Sequence, residues 1–129
     1  MKGGIINVLI VDDEVALANT LAQRLQLRNL KVGTAYDGEQ ALSKLAVDKP
    51  DVVVLDLRMP GMHGMEVLRE IKKTCPDIQV IILTGHGTDK DEEEAKRLGG
   101  FDFLKKPADI EMLAHRIKSA FQEKCGETP

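Results

Sequence analysis

The sequence predicts an α/β fold in which five parallel strands form one sheet covered by five helices on its two faces, and three observations carry that expectation. The apolar pattern switches five times between short β-branched runs and longer stretches of helical period. One of the runs, Val52-Val53-Val54-Leu55, is apolar throughout, as suits a strand covered on both faces. Turn-forming pairs, among them Asp37-Gly38, Lys49-Pro50, Pro60-Gly61, Cys75-Pro76 and Gly99-Gly100, fall where such elements must end.

In chain order, the strands are expected at Ile6–Val11, Lys31–Ala35, Val52–Leu55, Val80–Leu83 and Phe101–Leu104. Leu17, Leu21 and Leu25 mark the apolar face of a first helix; Ala41, Leu42 and Leu45 mark a second, and Val67, Leu68 and Ile71 a third. A fourth, Asp89–Leu98, offers only Ala95 and Leu98 for burial and carries five acids from Asp89 to Glu94. It reads either as a solvated helix whose acids suit its own amino end or as a weakly anchored element able to shift. The last helix follows Asp109, and Ile110, Leu113, Ala114, Ile117, Ala120 and Phe121 give it one broad apolar stripe. Strands alternating with helices imply right-handed crossovers between parallel neighbours.

The 129 residues fit one domain of ordinary size, able to bury roughly two-thirds of the surface of the unfolded chain, so a two-domain enzyme does not fit. A hydrophobic share of 43% and a charged share of 30% exclude disorder. A formal charge of −3 argues against a coating on nucleic acid, which needs a basic excess. No apolar run approaches the ~20 residues that cross a bilayer, and the stretch Ile5–Val11 is broken by Asn7 and too short for a secretory leader. Cys75 and Cys125 have neither CxxC spacing nor metal-like neighbours and read as reduced, incidental thiols of a cytoplasmic protein. Residues 5–124 are expected to form the domain, and 125–129 a short loose tail.

In an open parallel sheet, ligands bind beyond the carboxyl ends of the strands. At those ends stand Asp12-Asp13-Glu14, Asp56, Thr84-Gly85 and Lys106-Pro107, drawn from four separate segments. Two like charges 4 Å apart repel by about 4 kcal/mol at an effective dielectric of about 20, so Asp12, Asp13 and Asp56 need a positive partner. A hard divalent cation such as Mg²⁺ accepts carboxylate oxygens together with water and a phosphate. Asp56 is then a candidate nucleophile for a phosphoryl group, with Lys106 pairing one phosphoryl oxygen and Thr84 donating a hydrogen bond to another.

At these positions the sequence resembles the receiver domains of two-component response regulators, from Val8 to about Phe121. Val8-Leu9-Ile10-Val11-Asp12-Asp13-Glu14 looks like the first strand and acidic pair of that family. Val53-Val54-Leu55-Asp56-Leu57-Arg58-Met59-Pro60-Gly61-Met62 looks like its phosphorylated strand and following loop. Thr84-Gly85 and Phe103-Leu104-Lys105-Lys106-Pro107 match its later motifs. The resemblance implies a flavodoxin-like sheet of order 2-1-3-4-5 and makes Asp56 the phosphoacceptor, assisted by Lys106 and Thr84. It implies Mg²⁺ held by Asp13, Asp56 and the Arg58 backbone carbonyl, with Asp12 acting through water. Thr84 and Phe103 would switch the surface formed by helix Asp89–Leu98, strand Phe101–Leu104 and the exposed side of helix Ile110–Phe121. It further implies a histidine kinase or phosphotransfer protein as partner, a homodimer through that surface, no direct nucleic-acid or membrane contact, and no turnover of a separate substrate. Lysine immediately precedes the family's cis-proline, which selects Lys106 over Lys105; strand alternation turns Lys105 the other way.

The sequence departs from the family's usual pattern at His63 and Ala108, where Asp or Asn and Phe are common. Arg58 and His86 occupy positions that lie over the phosphoryl group in the family and influence its lifetime. His63, His86 and His115 show no paired spacing and read as surface residues. If Asp12 and Asp13 merely capped a helix and Lys106 were a surface charge, each residue would be explained but not their shared edge. A flavin electron carrier would place Ser, Thr and Gly after the first strand, and a phosphatase with an aspartyl nucleophile would need a second Asp where Arg58 stands. A degenerate receiver, acting only as a docking module, would lack one of the required residues. With no second domain after Phe121, the sequence reads as a single-domain regulator or as one domain of a longer chain.

Overall fold

The computed structural model describes residues 4–125. Its strands are β1 (Asn7–Val11), β2 (Lys31–Ala35), β3 (Val52–Leu55), β4 (Gln79–Thr84) and β5 (Asp102–Lys105), and its helices are α1 (Val15–Gln26), α2 (Gly38–Val47), α3 (Gly64–Thr74), α4 (Asp89–Arg97) and α5 (Ile110–Lys124). All four strand pairings are parallel, in the order β2-β1-β3-β4-β5. This is the expected flavodoxin-like arrangement.

Side-chain alternation along each strand divides the interior into two cores. Leu9, Val11, Val53, Leu55, Val80, Ile82 and Phe103 pack against α2, α3 and Ala95 of α4. Val8, Ile10, Val52, Val54, Ile81 and Leu83 pack against α1 and α5. All four residues of β3 are buried, as an apolar run on a central strand requires.

Element boundaries differ from expectation by one residue at several ends, and local hydrogen bonds explain it. β1 starts at Asn7, whose N–H donates to Asp51 Oδ2 at 2.9 Å. β4 gains Gln79, whose N–H donates to the Asp51 carbonyl, and Thr84, which pairs with Lys105. β5 therefore begins at Asp102 and includes Lys105. Leu98 is the C-cap of α4, and Cys125 caps α5. Residues 126–129 of the expected tail lie outside the described residues.

Helix α4 buries only Ala95, and its ends are built locally. Thr88 Oγ1 accepts from the Asp91 N–H at 3.1 Å, and Asp91 Oδ2 accepts from the Thr88 N–H at 3.0 Å. Asp89, Asp91 and Glu92 occupy the first turn and Lys96 and Arg97 the last, each sign at the end that favours it. Asp109 starts α5 as expected, accepting from the Met112 N–H.

Candidate functional site at the carboxyl edge of the sheet

The site lies where β1 and β3 release their chains on opposite sides of the switch in strand order. The Asp12 N–H donates to the Ala35 carbonyl at 3.0 Å, and the Asp56 N–H to the Val11 carbonyl at 2.9 Å. Both residues thus extend the ladder by one step, which fixes their backbones beside each other. Gly64 secures the loop after Asp56: its N–H donates to the Leu57 carbonyl, and a Cβ there would lie 2.4 Å from the Asp56 carbonyl oxygen. Only glycine permits that approach.

Asp12, Asp13 and Asp56 each offer a carboxylate oxygen within 4.8 Å of the others. Asp12 and Asp56 are buried at 3% and 5% exposure, and Asp13 is half-buried. Burial pushes the Asp56 carboxyl above its ordinary value; Asp12 and Asp13 push the same way, while Lys106 and the Thr84 hydroxyl oppose them. An all-oxygen donor set with surplus negative charge suits a hard cation such as Mg²⁺.

Lys106 reaches the site because its N–H continues the β4 edge, donating to the Thr84 carbonyl at 3.0 Å. Its peptide bond to Pro107 is cis, and Lys105 is exposed. The Lys106 ammonium donates to Asp12 Oδ2 at 2.6 Å and Glu14 Oε1 at 3.0 Å, and lies 3.9 Å from Asp56 Oδ1. Burial alone would favour its neutral form, but the hydrogen bonds to Asp12 and Glu14 outweigh it and raise its pKa.

An open cleft above these groups is lined by Asp13, Glu14, Asp56, Arg58, Gly85, His86 and Lys106. Arg58 and His86 are exposed on its rim. Thr84 is fully buried, and its Oγ1 accepts from the His86 N–H at 3.4 Å. Phe103 does not line the cleft; its ring is buried in the core below, against the loop that carries Gly87. The Asp12 and Asp13 side chains do not cap α1, whose N-cap Glu14 makes no side-chain cap bond. Asp12 Oδ1 instead accepts from the Glu14 N–H at 3.0 Å.

The fold brings Asp12, Asp13, Asp56, Thr84 and Lys106, all expected at the site from the sequence, to one edge. Glu14 as a partner of Lys106 is a feature of the structure alone. So are the place of Gly87, which admits the Phe103 ring, and that of His63, whose Nδ1 caps α3 by accepting from the Met65 N–H. Adjacency to the acidic pair was the one signal for Glu14; nothing in the sequence tells which way its long side chain turns.

The fold and this edge define a phosphotransfer signalling module: the chain belongs to the response regulator receiver domain family, whose model matches residues 8–118. It is 41% identical over 115 residues to the C4-dicarboxylate transport transcriptional regulatory protein DctD of Pseudomonas aeruginosa, covering 89% of this chain and 25% of that protein. It is 34% identical over 114 residues to the response regulator MprA of Mycolicibacterium vanbaalenii, covering 88% of this chain and 49% of that protein. The chain thus spans between a quarter and half of these relatives. The crystal structure of a CheY-like receiver domain protein from Methanospirillum hungatei superposes with a TM-score of 0.92 at 25% identity, covering 97% of this chain and all of that one.

Proposed function

We propose that Asp56 accepts a phosphoryl group from the phosphohistidine of a histidine kinase or phosphotransfer protein. The observation that carries this reading is the convergence of the Asp56 carboxylate with two further carboxylates, within 4.8 Å, and with an ammonium group 3.9 Å away. Mg²⁺, when bound, would offset the charge of the incoming phosphoryl oxygens. Asp13, Asp56 and the Arg58 backbone carbonyl would hold it directly, and Asp12 through water.

In the transfer, an Asp56 carboxylate oxygen forms a bond to phosphorus as the phosphorus–nitrogen bond of the donor breaks, and the electron pair leaves with the imidazole. Lys106 pairs with one phosphoryl oxygen, and the Thr84 hydroxyl turns to donate to another. The domain, residues 5–124, catalyses its own phosphorylation and dephosphorylation and turns over no separate substrate. Arg58 and His86, on the rim, govern how readily water reaches the acyl phosphate.

The added charge, about two units, is read out through Thr84 and Phe103 on the face formed by α4, β5 and the exposed side of α5. A partner or a second copy of the chain docks there. The domain itself contacts neither nucleic acid nor membrane and works in the cytoplasm; among the described residues no helix is long and apolar enough to cross a membrane.

With Mg²⁺ and a small acyl-phosphate donor, intact mass rises by one phosphoryl group, and Asp56→Asn abolishes the rise. A modified Asp12 with Asp56 untouched would refute the assignment. Beryllofluoride should change amide-exchange protection on α4, β5 and α5; a change confined to α1 and α2 would refute the output face.

A further inference from the structure

Lys106 has three ammonium protons to place, and two of them go to carboxylates that Asp56 does not supply. Asp12 takes one at 2.6 Å and Glu14 another at 3.0 Å, which leaves Asp56 Oδ1 at 3.9 Å, outside hydrogen-bond reach. The two acceptors differ in kind. The Asp12 side chain is 4% exposed, whereas the Glu14 side chain is 64% exposed, on the cleft wall. An exposed glutamate held in one geometry gives up rotamer freedom, and here the counterbalancing interaction is its bond to the ammonium of a lysine whose side chain is only 15% exposed.

We infer that Glu14 is a positioning residue that holds the Lys106 ammonium away from Asp56, so that a phosphoryl group on Asp56 must draw Lys106 off Glu14 before it gains its cationic partner. The inference rests on the reading of Asp56 as phosphoacceptor. With two N–H directions set by Asp12 and Glu14, the direction of the third is set as well and leaves Asp56 Oδ1 out of reach, so Lys106 turns toward a phosphoryl oxygen by loosening its bond to exposed Glu14 rather than to buried Asp12. Glu14 therefore sets the affinity of the site for a phosphoryl group without touching that group.

The test titrates beryllofluoride, a phosphoryl mimic, into the full chain at saturating Mg²⁺, with the Thr84 and Gly85 amides followed by NMR. Glu14→Gln should tighten beryllofluoride binding by about two- to fivefold, the range of a partly exposed ion pair. Mg²⁺ affinity without beryllofluoride should stay level or fall, because the freed ammonium leans on Asp12 and Asp56. A merely structural loss would weaken both, and that result, or unchanged beryllofluoride affinity, overturns the inference.

The same substitution in a Lys106→Met background separates positioning from plain repulsion between Glu14 and an incoming anion. Read as the rate of mass gain from a small acyl phosphate, the Glu14→Gln effect should vanish there; an undiminished gain overturns the inference. Failure of the underlying reading looks different: the unsubstituted chain would then not respond to beryllofluoride, or Asp56→Asn would respond equally well.

Discussion

Replacing Gly87 by Ala tests the link between the loop after β4 and the buried aromatic of β5. A Cβ at this position would lie 2.4 Å from Phe103 Cζ, 2.9 Å from Phe103 Cε1 and 2.9 Å from Thr84 Cγ2. The backbone of Gly87 is outside the positive-φ region, so alanine brings no backbone strain, and the whole effect comes from crowding. Relief requires either a shifted loop, which costs about 1–3 kcal/mol as overpacking does, or a Phe103 ring turned out of its 8%-exposed site, which forfeits about 1.5–3 kcal/mol of burial. The smaller unfolded-state entropy of alanine offsets about 0.4–1 kcal/mol, leaving a net loss of about 1–2 kcal/mol. Gly85→Ala is the control, because its Cβ would meet nothing nearer than the Lys106 side chain at 3.9 Å. That variant shares the entropic gain without the clash, so the two should differ by the crowding cost alone, about 1–3 kcal/mol, in urea unfolding followed by circular dichroism. A difference below about 1 kcal/mol would show that Phe103 does not depend on the bare Cα of Gly87.

Asp56→Asn should stabilise the metal-free chain at neutral pH. The folded-state pKa of Asp56 is raised above the ordinary value near 3.8, so the folded state loses stability as pH rises from that value through the folded pKa. The gain from asparagine comes first from removing a buried charge and then from relieving its repulsion with Asp12, with Lys106 opposing both; carboxylate oxygens no more than 4.8 Å apart repel by about 3.5 kcal/mol or more at an effective dielectric of about 20. The gain should fade as pH falls through the raised folded pKa and be gone by about pH 4 in acid unfolding with chelator present. Mg²⁺ at a hundred times its Kd should stabilise the chain by about 2.7 kcal/mol in thermal melts; Asp13→Ala should remove most of that gain, and an unchanged Mg²⁺ titration would contradict its role as ligand. Lys72 donates to the Ile78 carbonyl at 2.6 Å and the Pro76 carbonyl at 3.2 Å. Lys72→Ala should cost about 1–3 kcal/mol in urea, and a loss under 0.5 kcal/mol would mean that water replaces the ammonium.

The sequence by itself determined the five strands, the five helices and the residues at the strands' carboxyl ends, because these follow from local periodicity. Four apolar residues in succession at Val52–Leu55 can be satisfied only with both faces covered, and the stripe from Ile110 to Phe121 has one angular solution on a helix. The parallel topology then turns four separate motifs into one edge. What only the tertiary structure decided are the distances between side chains that the chain separates widely. Lys106 lies 94 residues from Asp12 and 92 from Glu14, and whether it bonds to those two or to Asp56 depends on differences of about an ångström set by the packing of β4 and β5. The tight fit of Gly87 against Phe103 and the capping of α3 by His63 were hidden for the same reason. Periodicity states which face a residue occupies, but the register of a loop against a neighbouring strand, and the direction in which a long side chain leaves it, are fixed by contacts that exist only once the sheet has formed.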